Sequence, residues 1–385
     1  MGLDCEPFKA RRAAAGPSIF LEYSAVPEFL EPAGANVYAG GFVSTRVVDD
    51  RNPGGLVADQ PDVALSAAGD IVPLRFTGQA GEYFRIWIVN ICLSIVTLGI
   101  YSAWAKVRRK RYFYGNTLLG DSAFEYLADP KAILKGRIVV VAGFAVYSLA
   151  GKINPLAGLA MAFVFLGVLP WLIVRASRFN AVNSAHRNVR FDFRAGYREM
   201  GQFLILPVVL VPLTLGLLYP YYAYRKRRFF LERAFYGATP FTFTASAGAY
   251  YLAYLKAALM FVVFLVGSIV TLGIGALPLY IWFAAYRDGA VARLTWKNTR
   301  LGGLRFDCRW TTGGLFKLHF LNSLGVIFSA GLLAPWAAVR AARYQLQRIS
   351  LQPGAELGAF LTAAQEQVGA IGDEAGDLLG FDFGL

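Results

Sequence analysis

Catalytic chemistry in this chain would have to come from very few residues. It has two histidines, His186 and His319, far apart in sequence, and three cysteines, Cys5, Cys92 and Cys308, with no paired spacing. A zinc or haem site needs ligands clustered at short spacing, and a disulfide framework needs an even, regular set. Neither pattern is present. Acid–base or nucleophilic catalysis needs a positioned base, nucleophile or metal. The arrangement that distant loops could still assemble is Asp121, Glu125, Asp129, Asp192 and Asp307 around His186. The alternative is that these carboxylates pair with Arg190, Arg194 or Arg305 and do structural work. The expectation is no enzyme, with no catalytic, cofactor-binding or metal-binding residues.

Binding chemistry is better represented. KVRRKRYFY holds Lys106, Arg108, Arg109, Lys110 and Arg111, and RKRRFF holds Arg225, Lys226, Arg227 and Arg228. Arginine beside aromatics can serve nucleic acid. Each string, however, ends an apolar stretch, where basic and aromatic residues set topology and form the interfacial belt. The expected partners are membrane lipids, above all anionic headgroups, and not nucleic acid. Within or near apolar stretches, Asn90, Asn322, Lys256 and His319 are candidate intramembrane polar contacts. Asn90 and Asn322 suit helix–helix hydrogen bonding; His319 reads as structural or interfacial. No carboxylate is expected at membrane depth, which argues against a cation-coupled carrier.

The elements that must position these residues are apolar. The chain is 56% hydrophobic and only 16% charged, with mean hydropathy +0.45. A soluble domain of this size carries about 25% charged residues. Long apolar blocks run over 138–150, 156–174, 203–218 and 259–274. Charge divides the chain into an acidic, loosely ordered leader (1–74), a basic membrane domain (75–349) and an acidic tail (350–385). The first 20 residues lack an apolar run of signal-peptide length.

Internal echoes point to a repeated unit. SIVTLGI occurs at 94–100 and 268–274, and Asn116-Thr-Leu-Leu-Gly is matched by Asn298-Thr-Arg-Leu-Gly. Phe76, Phe124, Phe191, Phe243 and Phe306 mark five units, each a short aromatic strand-like stretch, an apolar helix, a Gly or Pro break, a second helix and a basic cluster. The Gly/Pro breaks (Gly99, Gly216, Pro220, Gly273, Gly331, Pro335) suit either hairpin turns or the broken helices of transporters. The predicted fold is an all-α polytopic membrane protein of five repeated helical-hairpin units, with short cytoplasmic β-strands. Two units have room for spanning hairpins; three are short, re-entrant or single-span. If the short units re-enter, all 27 basic residues of the four inter-unit loops lie on one side, satisfying the positive-inside rule. Both tails are then cytoplasmic.

The run GEYFRIWIVN…TLGIYSAWAKVRRKRYFYGNTLLGDSAFEY, with the later NTRLGGLRF and the FDFGL end, resembles the YjgN-like family of bacterial inner-membrane proteins, a domain of unknown function. The resemblance covers roughly 75–350 and implies residence in the inner membrane. It supplies no activity and no site residues. Two functions follow as expectations: a non-enzymatic channel or carrier for a small solute using the broken helices, or a membrane scaffold or lipid-binding protein with basic loops on anionic headgroups. The acidic FDFGL end could also dock on the RFDF-like strands.

Overall fold

The computed structural model describes residues 71–352; the leader, the FDFGL docking and most of the acidic tail lie outside the described residues. The described chain alternates short strands with helix pairs. Five times, a strand leads into two antiparallel helices that return to a second strand. The first three are β1 (Val72–Phe76), α1 (Ala80–Val96), α2 (Ser102–Gly115), β2 (Thr117–Leu119); β3 (Ser122–Tyr126), α3 (Pro130–Ile153), α4 (Pro155–Val182), β4 (Ser184–His186); and β5 (Val189–Phe193), α5 (Tyr197–Ile205), a π-helical turn Leu206–Leu210, α6 (Val211–Leu213), α7 (Tyr219–Glu232), β6 (Ala234–Tyr236). The last two are β7 (Thr239–Phe243), α8 (Ala247–Val270), α9 (Ala276–Lys297), β8 (Thr299–Leu301); and β9 (Leu304–Cys308), α10 (Thr312–Phe328), α11 (Ala334–Leu346), β10 (Ile349–Gln352).

The strands correct the predicted fold class. They are not accessories of an all-α protein: all ten pair antiparallel into one closed barrel, in the order β1-β10-β9-β8-β7-β6-β5-β4-β3-β2. The returning strands β2, β4, β6 and β8 have only three residues each, too few to display alternation in sequence. Closure itself has no local signature. The second correction concerns the spans. Two spanning hairpins require four long apolar helices, but among the described residues three are long and apolar enough to cross a membrane: α3, α4 and α8. In α9, Arg287, Asp288 and Arg293 interrupt the apolar run.

Topology sorts the molecule into two ends. Neighbouring strands are joined by two-residue turns: Gly120-Asp121, Arg187-Asn188, Gly237-Ala238 and Gly302-Gly303, each bringing positive φ where a tight hairpin demands it. Because every pairing is antiparallel, these turns share one rim and all five helix pairs leave from the other. At the helix rim the ladder is closed by one recurring bond. The amides of Thr77, Leu127, Arg194, Thr244 and Arg309 donate to the carbonyls of Asn116, Asn183, Arg233, Asn298 and Arg348, at 2.8–2.9 Å. The Asn-Thr and Asn-Ser pairs make the switch from helix to strand. Asn116 and Asn298 donate to carbonyls four residues back, at 2.8 Å. Thr117 and Thr299 do the same at 2.7 Å, which ends the helix and turns the chain into the strand.

The concave face of the barrel is apolar. Phe76, Phe124, Phe191, Tyr236, Phe241 and Leu304 are buried on the concave face in one apolar cluster that continues into the helix bases through Tyr83, Val107, Val174 and Met200. Rings two strands apart meet there, as Phe124 and Phe191 do at 6.5 Å. The convex face carries Arg75, Glu125, Arg190, Asp192, Arg300, Arg305 and Asp307, alternating with the buried set along each strand.

Candidate functional site

At the far tips of four helix pairs one turn recurs. Leu98-Gly99, Leu215-Gly216, Leu272-Gly273 and Ala330-Gly331 each place two successive residues at positive φ, from 49° to 93°. The glycine amides donate to carbonyls five residues back, Gly99 to Ser94 at 2.7 Å and Gly273 to Ser268 at 2.7 Å. In the threonine-bearing tips the hydroxyl donates backwards and accepts forwards. Thr271 donates to the Gly267 carbonyl at 2.7 Å and accepts from the Gly275 amide at 2.9 Å; Thr97 bonds Leu93 and Tyr101 likewise. This internal satisfaction suits a medium without water, where an unmade backbone bond costs several kcal/mol. The glycine breaks of the sequence are therefore hairpin turns, and Pro220 and Pro335 open the returning helices α7 and α11.

The tips are apolar and bare. Leu98 is 95% exposed, Leu215 94%, Leu272 91% and Phe328 84%. On α3, the consecutive residues Ile138, Val139, Val140 and Val141 are all exposed, which on a helix means nearly every direction. Contiguous bare apolar surface of this kind marks a membrane or partner contact.

Apart from Lys152 at the far end of α3, the basic residues lie on the barrel-proximal parts of the helices, and the candidate headgroup contacts divide by environment. Lys110 is buried, donating to Asn180 Oδ1 at 3.1 Å with its ammonium 4.6 Å above the Tyr126 ring. Arg111 donates to the carbonyls of Tyr126 and Ala128 and so ties α2 to the strand end. Arg108 donates to the Tyr101 hydroxyl at 3.2 Å. Arg228 pairs with Glu232 at 2.9 Å. Arg225 is exposed, while Lys106, Arg109, Lys226 and Arg227 are partly exposed.

Of the intramembrane candidates, Asn90 is buried within α1. Asn322 is buried on α10, donates to the Ala337 carbonyl of α11 at 3.2 Å and accepts from Arg340. Lys256 is exposed on α8. His319 is partly buried on α10, where the charges of Asp288 and Arg287 on the neighbouring α9 reach it. By sequence, no carboxylate lies inside an apolar segment. Asp288 stands within α9, ion-paired with Arg287 at 2.8 Å. The signal was present in the Arg-Asp pair at 287–288, which breaks an otherwise apolar run.

The carboxylates do not gather around His186. Asp192 is held by Arg194 at 2.8 Å and Arg178 at 3.6 Å, and Asp307 by Arg309 at 3.1 Å and Lys297 at 3.6 Å. Arg309 and Lys297 hold the Asp307 carboxyl below its usual range against the opposing effect of burial. Asp129 caps α3 through the Lys131 amide at 3.0 Å, and Asp121 and Glu125 are exposed. His186 faces the barrel interior, its Nδ1 3.4 Å from the Tyr236 hydroxyl, which donates to the His186 carbonyl at 3.1 Å. Burial, with Arg187 alongside, pushes its pKa down to about 4, so the ring is neutral at pH 7. Among the described residues no group of three or more His, Cys, Asp or Glu is placed to hold a metal ion.

Residues 72–277 and 266–378 match the profile of a family described as bacterial protein of unknown function (DUF898). Among individual proteins, the inner membrane protein YjgN of Salmonella typhimurium LT2 is 32% identical over 143 residues, 36% of this chain and 35% of the relative. The protein of the same name in Escherichia coli O157:H7 is 28% identical over 142 residues, 37% of this chain and 36% of the relative. The matched stretch thus spans about a third of the length of these curated relatives. No solved structure matches.

Proposed function

The chain belongs to the DUF898 family of bacterial proteins of unknown function, and from that premise we propose that it is a membrane scaffold that organises lipid beneath a rigid barrel. The helix pairs enter the inner membrane, where the matched relatives are named as residing. The barrel lies at the cytoplasmic face and the basic band sits at headgroup level. One observation carries this reading: a closed barrel filled by aromatic rings presents, from a single rim, helix pairs whose outer surfaces and tips are bare and apolar.

Each part has a physical role. The barrel fixes the bases of five helix pairs by hydrogen bonds that have no free edge. The helices satisfy their own backbone and expose side chains that suit acyl chains. Lys106, Arg225, Lys226 and Arg227 face the headgroup layer, each adding about 1 kcal/mol of attraction for anionic lipid. The same features disfavour the channel or carrier reading, because Phe124, Phe191, Tyr236 and Phe241 are buried together in one apolar cluster where a conduit through the barrel would need polar lining.

The test is native mass spectrometry of the full chain from nanodiscs of mixed anionic and zwitterionic lipid. The wild type is expected to retain anionic lipid preferentially. Replacing Lys106, Arg225, Lys226 and Arg227 by Gln removes that preference while the protein still inserts. An unchanged lipid set in the variant refutes the headgroup role. Solute-dependent conductance of the wild type in proteoliposomes refutes the scaffold in favour of a conduit.

A further inference from the structure

The helix pairs differ in reach, and the difference has a mechanical consequence. Apolar reach runs from the tip back to the first basic residue. On the returning helices of the short pairs, Gly99 to Lys106 is 7 residues, Gly216 to Arg225 is 9 and Gly331 to Arg340 is 9. At 1.5 Å per residue these lengths are about 10, 14 and 14 Å. On the outgoing helices, Arg85 to Leu98 and Lys317 to Ala330 are 13 residues each, about 20 Å, and Arg198 to Leu215 is 17, about 25 Å, so the returning helices with their nearer charges set the depth of the three short tips. The hydrocarbon core is about 30 Å thick, so these tips stop near the midplane. The pair α3/α4 is different. On α3 Lys152 stands at the far tip itself, and from it back to Arg137 is 15 residues, while Pro155 to Arg175 is 20, about 22 and 30 Å. That pair crosses. The α8/α9 pair, with 16 residues from Lys256 to Leu272, reaches most of the way.

We propose that the protein is a one-sided wedge that favours membrane curved convexly towards the barrel. All five helix pairs occupy the barrel-side leaflet, and at most two of them continue into the other. The tips of the three short pairs end in exposed leucine and phenylalanine rather than in charge, so acyl chains of the near leaflet are their occupants. Inserting more helical cross-section into one leaflet than the other expands that leaflet, and the mismatch is relieved where the membrane already bends that way. The same asymmetry underlies the curvature sensitivity of amphipathic helices lying in one leaflet. This inference rests on the scaffold reading.

The experiment uses the full chain in giant vesicles, labelled at the Gly302-Gly303 turn with a membrane-impermeant dye so that only copies with the barrel outside are seen. A narrow tube is drawn from the vesicle, and protein density relative to a lipid dye is compared between tube and parent membrane. The expected result is enrichment in the tube by about twofold or more. A variant with Leu98, Leu215 and Phe328 replaced by Asp withdraws the short tips towards headgroups; held by α3/α4, it remains in the membrane with a ratio near one. Wild-type protein that inserts and distributes evenly overturns the wedge and leaves the scaffold standing. Wild-type protein that fails to enter the bilayer overturns both.

Discussion

Truncating Phe191 to alanine separates a packed barrel from a conduit. Its ring is 5% exposed and sits 5.1 Å from Tyr236 and 6.5 Å from Phe124, at the centre of the concave face. Removing a buried phenylalanine ring from a close-packed interior costs about 3–5 kcal/mol, as lost transfer energy plus the cavity left behind. The barrel has no free edge along which to slide and collapse the void, so the upper part of that range applies. For a domain of this size the thermal transition should fall by roughly 10 °C. Phe191→Leu, which keeps most of the volume, should recover more than half of the loss. The assay is thermal unfolding in nanodiscs, followed by near-ultraviolet dichroism, alongside conductance in planar bilayers. Phe191→Ala protein with unchanged stability and a newly opened conductance would refute the filled-barrel reasoning.

Two further perturbations act on other parts of the molecule. His186 has a folded-state pKa of about 4 against an unfolded value of 6.5, so its burial stabilises the neutral form. A depressed histidine pKa means that stability is intact above pH 6.5 and declines as pH falls towards 4, by about 3 kcal/mol in full. Chemical unfolding across that window should show the slope, and His186→Gln should flatten it; a wild-type profile level from pH 7 to 4 would contradict the burial. Gly273 has φ +85° with open space around its Cα, so Gly273→Ala meets no steric contact and should cost only the backbone term, about 1–2 kcal/mol. A neutral substitution, read by the midpoint of thermal unfolding, would mean that the tip is not held in the left-handed conformation.

The sequence made some of this legible and concealed the rest for physical reasons. Apolar blocks, the basic strings at helix ends and the Thr-Leu-Gly breaks are local patterns of composition, so helices are readable on either side of each break, while the sequence leaves hairpin turns and broken transporter helices open there. The entering strands showed through aromatic alternation, as in RFDF. The returning strands did not, because Thr117–Leu119 and Ser184–His186 are too short to carry a period. Barrel closure depends on β1 meeting β10, residues nearly the whole described chain apart. The placement of His319 near Asp288 is also a contact between helices, invisible until α9 packs on α10. Lys110 is a candidate headgroup contact by its string; only the fold brings Asn180 and Tyr126 against it.

The central claim is that one rim of a closed barrel carries every helix pair into the membrane, leaving all the strand turns on the other side. Single cysteines placed at Asp121, Asn188, Ala238 and Gly303, one in each two-residue turn, in a protein otherwise free of cysteine, test it directly with a membrane-impermeant thiol reagent. All four should label only from the cytoplasmic side, in cells permeabilised to admit the reagent, and none in intact spheroplasts. Labelling of even one of the four from the periplasmic face would contradict the common rim, and with it the barrel that anchors the scaffold.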